Sequence, residues 1–378
     1  MTGYLLRRGR GDGTALHVYR MVAMAKKSVA LLLLLLLLLF LIPVPAFAKG
    51  EYRDVTPDQR VALPGHLFYA GAYRIQWWYF TGHLYDERGR EFGYELTFFA
   101  FGVQKRDYAS EFGMRSLFIS HFAVTDVAGK RYYFMDKADR GAFGFAGALK
   151  NRLKVWVGKN LLEGNGHKMR LSAEDGNLSL DLTLIPEKGA VLHGRGGYSR
   201  KSEESPLVAS LYFSFTRMRT EGVLRIGSTD FRVGGTSWFD REISSRGLGE
   251  NNAGWDWFAL QLDDAREVML YLMRNKDGSL DRYSSGTVVY RDGRYRHLSL
   301  QDFSITPLKR YTSKKTGARY PAQWRISVPS EGLLLTVTPL VEDQEFLGKQ
   351  STGNHYWEGT AAVEGTAAGR AYVELTGY

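Results

Sequence analysis

The chain predicts an all-β protein built from antiparallel hairpins, folded as barrels or sandwiches, behind an N-terminal export signal. Three observations carry this. Hydrophobic periodicity is two in segments such as EFGYELTFFAFG, SLFISHFAVTD, NLSLDLTLIP, GTVVYRDG, QWRISVP and GLLLTVTP. Turn signals punctuate them: DERGRE (Asp86–Glu91), DVAGKR (Asp126–Arg131), EDGN (Glu174–Asn177) and YRDGRY (Tyr290–Tyr295). Beyond residue 48, no apolar stripe at helical spacing persists over three turns.

Taken in order, the first element is the signal. Lys26 and Lys27 precede the apolar run from Val29 to Ile42, and PVPAFA ends at Ala48. A basic start, a short apolar core and a small-x-small ending describe a secretory signal peptide cleaved after Ala48. A membrane-spanning helix needs about 20 apolar residues, so membrane contact is expected only through an uncleaved signal. Residues before Met21 or Met24 read as an over-extended start. The expected location is periplasmic or secreted.

Charge and cysteine content narrow the function. The formal charge is +10. Removing residues 1–48 takes away six basic residues and one acid, leaving +5. That excess, with no basic stripe interleaved with aromatics, predicts no nucleic-acid partner. The cluster Lys309, Arg310, Lys314, Lys315 and Arg319 reads as a solvated loop. With no cysteine, disulfides, thiolate metal sites and Cys nucleophiles are excluded.

An internal echo divides the remainder. WWYFTGHLYDERGREFGYEL from Trp77 and WDWFALQLDDAREVMLYL from Trp255 align with one two-residue gap at the hairpin turn. The ends echo too: SWFDRE around Asp240 and AYVELT around Glu374 both place an aromatic two residues before an acid. The expectation is two β-domains, residues 60–243 and 255–378, joined by a Gly-, Asn- and Ser-rich linker at 244–254.

The stretch GWDWFALQL sets an acid between two tryptophans. On a strand, Trp255 and Trp257 share one face and Asp256 takes the other, so either the Trp pair is core or the acid points into an aromatic interior. The motifs IQWWYFTGHL, ISHFAVTD, LHGRGGYSRK, LYFSFTRM, GGTSWFDREISS, GWDWFALQL, YPAQWRISVP, HYWEGTAAVEG and GRAYVELTGY run in order from about residue 70 to 378. With these the chain resembles the AttH-like, carotenoid hydratase (hydroxyneurosporene synthase) family, in the secreted branch described as predicted secreted hydrolases. The resemblance implies two lipocalin-like domains and, in the wider group, alkene hydration or cyclisation on greasy polyenes. Gln76 stands where the family commonly carries Glu, and Arg241 and Ile243 stand where the hydratase branch carries His and Trp.

The residues allow two functions. The primary expectation is a binder of a hydrophobic small molecule (lipid, isoprenoid or polyene), walled by Trp77, Trp78, Tyr79, Trp238, Trp255, Trp257 and Tyr271. The alternative is a hydratase, isomerase or cyclase using Asp240 and Asp256 as acid and partner base, with Glu242 third. A carboxyl buried among apolar groups stays protonated near neutrality, and aromatic faces steady a developing cation by about 0.5–2 kcal/mol. The bland reading makes Asp240–Arg241–Glu242 a structural ion pair and Asp256 a hairpin cap or a partner of Arg241. No H-E-x-x-H, Asp-rich loop, G-x-S-x-G elbow or G-x-G-x-x-G occurs, so neither metal nor cofactor is expected, and a hydrolase is the third option.

Overall fold

The computed structural model of the protein describes residues 52–103 and 113–378; the expected signal peptide, residues 1–48, lies outside the described residues. It is almost wholly β-structure in two antiparallel sheets, each curled into a barrel or half-barrel, as expected of lipocalin-like modules. The first sheet has thirteen strands between Ile75 and Ser244, and the second has ten between Asn252 and Thr376.

The internal echo is visible in the pairing. The WWYF motif lies on the strand Ile75–Asp86, paired to its hairpin partner Glu91–Gly102 and to the first sheet's last strand, Thr229–Ser244. The WDWF motif lies on Asn252–Leu262, paired to Glu267–Asn275 and to the second sheet's last strand, Gly369–Thr376. In both sheets the first long strand thus sits between the next strand and the last.

Strand alternation then sorts the side chains. One face of each sheet turns into its own barrel: Trp78, Phe80, Leu84, Phe92 and Phe98 in the first, Phe258, Leu260, Trp324 and Trp357 in the second. Each such side chain contributes roughly 1.5–3 kcal/mol by leaving water. The opposite faces pack against each other across a seam of Tyr79, Tyr212, Trp238, Trp257, Met269, Tyr271 and Tyr372. Because the central strands are buried on both faces, burial runs almost unbroken along them.

Charged clamps fasten the seam. Glu267, fully buried on the second sheet, receives Lys188 Nζ at 2.7 Å and Arg217 Nε at 2.6 Å from the first. Arg370 Nε reaches Glu91 Oε1 at 2.6 Å in the other direction. Gly93 marks a close approach, since a Cβ there would lie 2.8 Å from Thr360 Cβ.

Candidate functional site

A cavity of about 470 Å³ opens between the sheets, within the range of small-molecule sites. Ile75, Trp77, Phe99, Phe101, Trp255 and Met273 supply apolar wall, while Arg246, Gly247, Leu248 and Asn354 come from connecting segments. Of the residues expected to form a ligand wall, Trp77, Tyr79, Trp255, Trp257 and Tyr271 line it. Two do not. Trp78 points into the first barrel, because it follows Trp77 on the strand and so takes the opposite face. Trp238 lies in the seam behind the cavity and acts through a hydrogen bond to Asp240.

Asp240 lines the cavity and is 4% exposed. Its Oδ1 accepts from Trp238 Nε1 at 2.6 Å and from Ser214 Oγ, and its Oδ2 accepts from Tyr212 Oη at 2.6 Å. Register explains the meeting: Asp240 pairs with Ser214 on one neighbouring strand and Tyr79 on the other. The donors are themselves held. Trp257 Nε1 donates to Tyr212 Oη at 3.1 Å, and His193 Nε2 lies 2.7 Å from Ser214 Oγ. Thr287 Oγ1, 2.9 Å from His193 Nδ1, completes that chain from the second sheet. Burial keeps His193 neutral, well below the usual histidine range. Burial pushes the Asp240 carboxyl up, the three donors pull it down, and it settles at about 7.

Glu242 lines the same wall, accepting from Ser210 Oγ and pairing with Lys201 Nζ at 3.3 Å. Lys201 stands 4.3 Å from the Tyr271 ring centroid and 4.6 Å from that of Tyr212. Burial works against its charge, but Glu242 and Tyr271 outweigh this and hold the ammonium above its ordinary range.

Asp256 is elsewhere, and the role of partner base expected for it does not fit its position. Trp255 and Trp257 take the cavity face, so Asp256 turns to the opposite one, with Arg274 Nε at 2.8 Å and Tyr378 Oη at 2.9 Å. Nor is Arg241 the centre of an acid–base–acid ion pair. It points away from Asp240 and Glu242, with its guanidinium 3.8 Å from the Trp78 ring centroid. There it donates to the carbonyls of His66, Phe68, Trp77 and Glu242 and to Gln76 Oε1 at 2.8 Å.

The acid that sequence reasoning passed over is Glu374. It lines the cavity and pairs in register with Trp257, as Asp240 pairs with Tyr79. Burial lifts its carboxyl to about 7 against hydrogen bonds from Thr376 and Trp255. The echo of SWFD and YVEL was the signal for it: each acid sits beside the third residue of its Trp-x-aromatic motif. Among the described residues, no group of three or more His, Asp or Glu side chains is placed to hold a metal ion.

Comparison with known proteins places this architecture. An AttH protein of Nitrosomonas europaea is 31% identical, with a TM-score of 0.79 over 86% of this chain and 99% of that one. Kievitone hydratase of Nectria haematococca shares the fold at 16% identity, with a TM-score of 0.64 over 86% of this chain and 96% of its own. The dehydratase asqC of Emericella nidulans is 22% identical over 260 residues, covering 65% of this chain and 72% of that protein. The AttH-like family model matches residues 54–378, and the chain belongs to that family.

Proposed function

We propose that the protein is a hydratase or dehydratase working by acid–base chemistry of its own side chains on a hydrophobic small molecule, exported from the cytoplasm. The observation that carries this is the pair Asp240 and Glu374. Two acids on opposite sheets, Asp240 buried and Glu374 half-buried, face one largely apolar cavity, each balanced at about 7. An acid and a base are most effective when their pKa lies near the working pH. At neutrality one member of such a pair donates while the other accepts.

In hydration, the protonated acid delivers its proton to an alkene carbon. The aromatic faces of Trp255, Trp257 and Tyr271 stabilise the resulting positive charge. The ionised acid takes a proton from the attacking water as the C–O bond forms, and dehydration is the reverse. Lys201 steadies an oxygen that gains negative charge, as when the alkene is conjugated to a carbonyl. The names of kievitone hydratase and the dehydratase asqC support water addition or removal as the reaction class.

The test is incubation with isoprenoid alkenes and conjugated enones in ¹⁸O-water, followed by mass spectrometry. The wild type is expected to incorporate ¹⁸O. Asp240→Asn and Glu374→Gln are each expected to lose about 10²–10⁴-fold in rate. Wild-type rates in both variants would refute the assignment. A co-purified lipid held unchanged by wild type and variants alike, with no turnover, would make the protein a binder instead.

A further inference from the structure

Behind the cavity wall, buried polar groups without partners gather in one place. Among the described residues, seven buried side-chain polar atoms lack a hydrogen-bond partner, and six belong to Glu95, Thr97, Tyr132, Glu358 and Tyr372. Glu95 and Glu358 are completely buried, and Thr97 and Tyr372 nearly so. Glu95 comes from the first sheet, beside Thr81 in register, and Glu358 from the second, beside Glu374. The groups facing the two carboxyls are Tyr79, Thr97, Tyr132, Tyr356, Tyr372 and Glu374, hydroxyls and one further acid.

Two adjacent carboxylates in such surroundings cannot both ionise, because each would be a desolvated charge beside another of the same sign. A proton between them removes one charge and supplies the donor that the unpartnered oxygens lack. One route leads outward: Tyr79 Oη donates to Glu358 Oε2 at 3.1 Å. The Tyr79 ring lines the cavity and meets Trp257 edge-on at 5.3 Å.

We propose that Glu95 and Glu358 share one proton and form a proton store for the cavity, with Tyr79 as its conduit. The use of the store rests on the acid–base reading above; its existence does not. As an atom in the cavity gives a proton to the Tyr79 oxygen, Tyr79 passes its own hydroxyl proton to Glu358 Oε2 along the hydrogen bond it already donates. Tyr79 stays neutral, and the pair, now holding two protons, loses its charge. In hydration the ionised acid hands on the proton it took from water in this way; the pair releases it to solvent, and the acid that protonated the alkene is reprotonated from solvent.

Infrared spectroscopy of the full-length protein at pH 9 tests this without any substrate. Asp240 and Glu374 are then ionised, so the carbonyl stretch of a protonated carboxylic acid reports the shared proton. The band is expected in the wild type and absent from both Glu95→Gln and Glu358→Gln, where the amide supplies the donor and the remaining acid ionises. Tyr79→Phe is expected to move the band without removing it; an unmoved band would overturn the conduit. No band in the wild type would overturn the store, as would a stoichiometric metal ion in elemental analysis of the same preparation. The wild-type spectrum and the metal analysis decide even where a Gln variant fails to fold.

Discussion

Replacing Tyr212 with Phe isolates what one hydrogen bond does for Asp240. The ring stays, so the carboxyl remains as desolvated as before. What is lost is the 2.6 Å donation from Tyr212 Oη, one of three that favour the ionised form. A hydrogen bond to a charged group is worth about 1.5–3 kcal/mol, and about 1.4 kcal/mol corresponds to one pH unit. The Asp240 titration therefore moves up by about one to two pH units, from about 7 to roughly 8–9. NMR titration of protein carrying ¹³C-carboxyl aspartate reads this directly. The fluorescence of Trp238, which donates to the same carboxyl, gives an independent midpoint. A midpoint that stays within about half a unit of wild type, or falls, would refute the balance of burial against three donors.

Further outcomes follow from the same structure. Asp240 binds its proton more tightly folded, at about 7, than its ordinary 3.8, so its ionisation erodes stability as pH rises from about 4 to 7. Asp240→Asn escapes this, and its urea midpoint is expected to rise relative to wild type across that window; a constant difference would contradict it. Glu267→Gln leaves Lys188 and Arg217 without their shared carboxylate in the seam. A loss of about 3–5 kcal/mol in chemical denaturation is expected, and less than about 1 kcal/mol would show that the clamp is open to water. Gly93→Val forces side-chain atoms against Thr360 across the seam. Thermal unfolding should register about 1–3 kcal/mol of overpacking, and an unchanged transition would mean that the seam yields.

The strand architecture was legible because period-two patterning and turn chemistry are local. Placing Trp255 and Trp257 on a shared face needed only alternation. The surroundings of Asp240 were not legible, since Ser214 and Tyr212 reach it through strand register and Trp257 reaches Tyr212 across the seam, and neither is written in any one segment. The same holds for Asp256. Its neighbours made it a candidate, and only the choice of which strand face meets the other sheet sent it to Arg274 and Tyr378. Glu95 and Glu358 lie 263 positions apart and were invisible in sequence. Lys201 carries no mark in its own segment, and only the fold sets it against Glu242.

Among the described residues, the chain passes from one sheet to the other once, after Ser244 and before Asn252. Arg246, Gly247 and Leu248 of that passage border the cavity, and Leu248 is exposed. The tether between the halves is therefore also part of their doorway. A protease that nicks it would leave two fragments still gripping each other through Glu267, Glu91 and the aromatic seam, yet with the border of the cavity cut. Assembly and access are thereby separable by cutting one peptide bond.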